Sequence, residues 1–118
     1  MASNQEQLND ALIEAAKQGS LADIQSLLDR HANIDTRDYS DDAPLHHASM
    51  KGHHQCIELL LDRHADINAL GSYNNTPLHC ASVIGNRRCI ELLLDNGADK
   101  SLVNVRLSLS QHMQASLS

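Results

Sequence analysis

Eight histidines and three cysteines are the side chains of this chain best equipped for chemistry. They also cluster: His46 and His47 are adjacent, His53 and His54 precede Cys56, and His79 adjoins Cys80. Imidazoles and thiolates in such groups are zinc ligands, and a structural zinc site draws them from spaced pairs such as C-x₂-C with H-x₃-H. No such arrangement is present, so the spacing predicts no metal centre. Asp35, Asp38, Asp41 and Asp42 form a second dense group. A calcium loop would alternate oxygen ligands over about twelve residues, with a central glycine and a closing glutamate. The run "DYSDDA" has neither. Its carboxylates read as a solvated acidic loop tip that also favours the start of the helix behind it and that could meet a basic partner. No G-x-S-x-G turn, glycine-rich phosphate loop or nucleophile–base pair occurs. The sequence predicts neither an enzyme nor a cofactor.

Composition narrows the class further. A chain of 118 residues is one domain of ordinary size. Aromatics make up only 2% of it, with no Trp or Phe, so the core must be built from Leu, Ile and Ala. A net charge of −6 disfavours nucleic acid or an anionic membrane as partner. No apolar run is long enough to cross a bilayer, and "MASNQEQLND" has neither the basic nor the apolar part of a secretory signal. Three cysteines, an odd number, inside periodic segments suggest reduced thiols. These features together predict a monomer in the cytoplasm, the nucleus or both.

The elements that must position these residues are written as a repeat. "APLHHASMKG" at Ala43–Gly52 returns as "TPLHCASVIG" at Thr76–Gly85. Leu45 and Leu78 stand 33 apart, as do Gly52 and Gly85, and Cys56 and Cys89; a further shift back reaches Leu12, Gly19, Leu27, Leu28 and Asp29. Three registers follow, 4–36, 37–69 and 70–102, within a single domain spanning 1–118. Each reads as two short helices and a loop. Thr76 is a natural N-cap with Pro77 at the first helical position, and Asp10 occupies the same slot in the first copy. Gly19, Gly52 and Gly85 should end the first helices in a left-handed conformation. His31, His64 and Gly97 should do so for the second helices, and Asp41 and Asn74 in the loops. Leu and Ile at i, i+3 and i+4 in "CIELLLD" put one apolar stripe inward. Cys56 and Cys89 fall in that stripe as small core residues. They lie on helices about 8–10 Å apart, too far for a disulfide. Helices this short are not stable alone, so each must be covered by its neighbour.

The T-P-L-H-x-A motif at this period resembles the ankyrin repeat, and the match runs over residues 10–100. The resemblance implies an all-α solenoid of about three helix-loop-helix repeats with projecting β-hairpin-like loops, and no catalytic activity. His46 and His79 are the motif histidine, which braces the loop against the helix start. The first copy has lost the motif, as suits an end repeat. No proper fourth copy begins at Leu109, so residues 103–118 form a C-terminal lid or an atypical tail. There Leu109, Met113 and Leu117 suggest a helix, while alternating Val103, Val105 and Leu107 suggest a strand.

The resemblance also implies a function: a non-enzymatic adaptor or stoichiometric inhibitor that binds another protein through a concave face of loop tips and first helices. The alternative is a truncated isoform of a longer repeat protein with a mainly structural role. On the binding reading, the contact residues are the only two aromatics, Tyr39 and Tyr73, with Asp42 and Asn75 in the same loops. On the first helices they are Met50, Lys51, Val83 and Ile84 in the slots that precede the closing glycine. His47 and Cys80 join them from a slot expected to be exposed, Cys80 as an inert thiol. Either Val83 or Ile84 could instead tuck against a neighbouring helix. Finally, "LLDRHADIN" resembles hydroxylated loops of the family and marks Asn68 as a candidate for asparaginyl hydroxylation. Mass spectrometry of the peptide carrying Asn68, from cells that contain the hydroxylase, should show the mass of one added oxygen on Asn68. An unmodified peptide throughout would remove the assignment.

Overall fold

Glycines with positive φ close all three first helices of the computed structural model, which describes residues 3–102. Helix α1 spans Asn4–Gln18 and ends at Gly19; α3 spans Pro44–Lys51 and ends at Gly52; α5 spans Pro77–Ile84 and ends at Gly85. The partner helices are α2 (Leu21–Asp29), α4 (His54–Asp62) and α6 (Arg87–Asp95). His31, His64 and Gly97 then take the left-handed conformation just beyond them. No strand occurs among the described residues. Helices α1, α3 and α5 pack side by side as one layer, α2, α4 and α6 as the other, and each first helix lies on its own second helix.

The core repeats as the sequence does. Leu12, Leu45 and Leu78 are buried in one slot, Leu27, Leu60 and Leu93 in another, and Ala15, Ala48 and Ala81 in a third. Cys56 and Cys89 complete it as small buried thiols. Deleting one of these leucines leaves a cavity at an inter-repeat contact, at about 2–5 kcal/mol. The small alanines let the first helices approach closely.

Helix starts follow the capping rules with one correction. Thr76 Oγ1 accepts from His79 N at 3.2 Å, and Asn86 Oδ1 from Cys89 N at 3.0 Å. Asp10 is not a cap, and the first helix of copy one is not short. Its N-cap is Ser3, whose Oγ accepts from Glu6 N, and Asp10 lies in the interior of α1. No proline stands at the first helical position here to set a start, and the helix-forming run "NQEQLND" simply continues upstream.

The loops between repeats are tight tips. Asp38 N donates to Asp42 O, and Gly71 N to Asn75 O. Asp41 and Asn74 take positive φ, as their slot predicts, and so does Tyr73 at 55°, which the sequence did not signal. A hydrogen-bonded ladder links successive loops. Asp35 Oδ1 accepts from Asp66 N at 3.0 Å, and Asn68 Oδ1 accepts from Asp99 N at 2.9 Å. Asn68 therefore bonds the next loop as well as sitting in its own turn, where its N–H donates to Asp66. The 103–118 segment, with the helix or strand expected there, lies outside the described residues.

The closing glycines differ in what surrounds them. A Cβ on Gly19 would lie 2.8 Å from the ring of His53, which is held in place by donating from Nε2 to Lys17 O at 2.9 Å; a Cβ on Gly85 would meet nothing within 4 Å among the described residues. Gly85→Ala should therefore cost only the left-handed penalty of about 1–2 kcal/mol. Gly19→Ala should cost clearly more, since it also displaces His53. Urea midpoints measure both, and equal losses would show that the His53 contact is inconsequential.

Candidate functional site

One groove runs along the last turns of α1, α3 and α5. It encloses about 520 Å³ and is lined by Lys17, His47, Met50, Lys51, Asn75, His79, Cys80, Val83 and Ile84. The repeat dictates this line. Lys17, Met50 and Val83 share one slot, and Gln18, Lys51 and Ile84 the next, so they stack across neighbouring helices. Seven of the residues expected at a contact surface meet here. Val83 and Ile84 are 63% and 57% exposed, so neither tucks against a neighbouring helix. Lys51 is exposed and Met50 half-buried. Lys17, which was not among the expected contact residues, joins them through the register.

Three expectations need correction. Cys80 is not exposed: it is buried, and burial foremost, with the Asp42 charge second, pushes its thiol up to about 12. A thiol held protonated in this way gives burial, not the lack of a neighbouring base, as the reason to expect it inert. His47 is buried too, with Nε2 donating to Asp38 Oδ2 at 2.7 Å. Asp42 is buried beneath the next loop tip, where its carboxylate accepts from Ser72 N at 2.9 Å and from the Ser72 hydroxyl. His47 and Cys80 line the groove while Asp42 lies beside it, and the polar ends of His47 and Asp42 are already engaged by loop residues.

The acidic tip is correspondingly reduced. Partial burial works to raise the Asp38 carboxyl. Backbone donation from Asp42, the bond and charge of His47, and donation from Ser40 outweigh that and hold it below its ordinary value. Asp38, Asp42 and His47 place three ligand-type atoms within 4.8 Å of one another, yet all three already have protein partners. Asp41 alone of the DYSDDA carboxylates is well exposed, beside Arg37 at 3.8 Å. Tyr39 and Tyr73 project from successive tips, Tyr39 fully exposed and Tyr73 79% exposed. Tyr73 flanks a second, shallower concavity with Asp41, Asp42 and Asn74.

Behind the face, His46 holds the loop between repeats two and three. It is fully buried. Nδ1 accepts from Ala43 N at 3.0 Å, while Nε2–H points at both Ala69 O (3.0 Å) and Asn75 O (2.9 Å). This arrangement needs the neutral ring, because a protonated Nδ1 would face another N–H. Gly71 allows the close approach: a Cβ there would lie 2.3 Å from Asp42 Oδ1 and 2.8 Å from His46 Nε2. Burial lowers the pKa of His46, and likewise that of His79.

A family model of ankyrin repeats, in three copies, matches residues 9–104. No curated protein matches the chain at a significant level.

The two depressed histidines set a pH dependence. Both stay neutral in the fold, while the unfolded chain takes up protons near its ordinary pKa of about 6.5. Their contribution to stability is therefore complete above that pH and is lost as pH falls below it toward the folded pKa. Asp38 acts in the same direction, but only at the lower pH where carboxylates titrate. The urea midpoint should thus fall between about pH 7.5 and pH 5, and His46→Asn should flatten the change. A midpoint constant over that range would contradict the neutral brace.

Proposed function

The chain belongs to the ankyrin-repeat family, and from that premise we propose that it binds another protein through the concave face, as an adaptor or as a stoichiometric inhibitor that occludes its partner. Ankyrin repeats are generally protein–protein interaction modules, and the family is typically non-enzymatic. The observation that carries the reading to this face is the exposed apolar pair Val83 and Ile84. It occupies slots that are Lys17 and Gln18 in copy one and Met50 and Lys51 in copy two. Exposed apolar residues contiguous with a groove mark interaction sites more often than scattered ones do.

Tyr73 supports the same face. Its backbone sits at φ 55°, a conformation that glycine or asparagine adopts at less cost. A largely exposed aromatic kept at such a position suits a contact role. The three cysteines are free and buried, in keeping with the proposed cytoplasmic or nuclear setting and with the chain acting as a monomer.

Partner capture by the tagged protein tests the face. Tyr73→Ala and Ile84→Glu should each weaken capture by more than about 1 kcal/mol and leave the melting curve nearly unchanged. Arg63→Ala and Arg87→Ala break only outer ion pairs, to Asp29 and Glu91, and should leave capture intact. Sensitivity confined to those outer positions would move the binding site to the second helices.

A further inference from the structure

We propose that the groove takes a short acidic segment with an apolar anchor from the partner protein, an inference that rests on the binding role just argued. Charge distribution carries it. The chain has 15 Asp and Glu against nine Lys and Arg, yet the groove lining contains two lysines and no carboxylate. Lys17 and Lys51 stand in the last turns of α1 and α3, where their full charges outweigh the partial negative charge of the helix carbonyl ends. The apolar end of the groove is Val83 and Ile84 on α5, with Met50 between. The groove is thus polar in sequence order: cations over repeats one and two, an apolar pair over repeat three.

Flanking charge sharpens the preference. The loop-tip concavity beside the groove carries Asp41 and Asp42. An acidic segment is drawn toward the α1 and α3 lysines and away from the tips, whereas a basic one finds no counter-charge in the groove. Two interhelix steps span about 16–20 Å, which an extended chain covers in about five or six residues. The ligand is therefore a linear segment with carboxylates at one end and two apolar side chains at the other. The chain's own 103–118 stretch fits poorly by composition, since it contains Arg106 and no Asp or Glu.

Fluorescence anisotropy with a labelled peptide of about ten residues, glutamates at one end and two leucines at the other, tests this on the full chain. Binding should weaken as salt shortens the screening length from about 10 Å at 0.1 M to about 3 Å at 1 M. It should fall about tenfold in the Lys17→Glu/Lys51→Glu double variant, by less in the milder Lys17→Gln/Lys51→Gln pair, and be unchanged in Arg87→Ala. Circular dichroism melts confirm that each variant is folded. The proposal is overturned if a peptide with lysines in place of the glutamates binds as tightly, or if the charge variants bind like wild type. It is also overturned if a peptide of residues 103–118 binds more tightly, or if sedimentation shows a dimer that Ile84→Glu disperses. Cellular capture that depends on Ile84 but not on Lys17 and Lys51 would retain the binding face and remove the acidic ligand. Independence from Ile84 would remove both.

Discussion

A single neutral imidazole organises the centre of this stack. His46 is the point where the start of α3, the end of one loop and the close of the next tip converge, and it satisfies one backbone N–H and two carbonyls at once. Loops between helices expose backbone groups that cannot be buried without partners. Here a side chain from the preceding repeat supplies those partners. The tip is thereby fixed against the helix layer, and the groove has a rigid wall at Asn75. The absence of a side chain on Gly71 follows from the same packing, because the His46 ring and the Asp42 carboxylate leave no room for a Cβ there.

The consequence for the surface is a division of labour along each first helix. Residues at its start are consumed by bracing: His46 by the loop, His47 by Asp38. Residues in its last turn are left for contact: Lys17, Met50, Lys51, Val83 and Ile84. The covering loop tips take the polar ends of Asp42 and His47 out of circulation. What remains exposed on the concave side is therefore apolar and cationic near the glycines, and aromatic and acidic at the tips.

Much of this was legible from residue types and a 33-residue register. Thr76 before Pro77, glycine or histidine after each helix, and Asp41 and Asn74 in the tips all carry a local backbone reason, and local reasons survive in a sequence. The burial of His47, Cys80 and Asp42 was not legible, because it depends on packing beyond their own helix or turn, such as Asp38 on His47 and Ser72 on Asp42. Helical periodicity assigns a residue to one side of its own helix; it does not say what folds over that side. The early start of α1 escaped for the complementary reason: a repeat pattern inherits its boundaries from the other copies, and copy one lacks the proline that sets them at Pro44 and Pro77. The positive φ of Tyr73 was not legible either, because an aromatic side chain gives no signal of a left-handed backbone.

The cross-repeat hydrogen bonds have a further implication. The side-chain bond from His53 to Lys17 spans 36 positions along the chain, and the loop rungs span 31. These bonds sew each repeat to its immediate neighbour. Such an array can fray from either end, one unit at a time, because the loss of a terminal unit breaks only one interface. A segment lying across α1, α3 and α5 would make a contact common to all three repeats. Occupancy of the groove would then convert a stack of pairwise couplings into a single cooperative body, and rigidity would be a property of the complex more than of the chain.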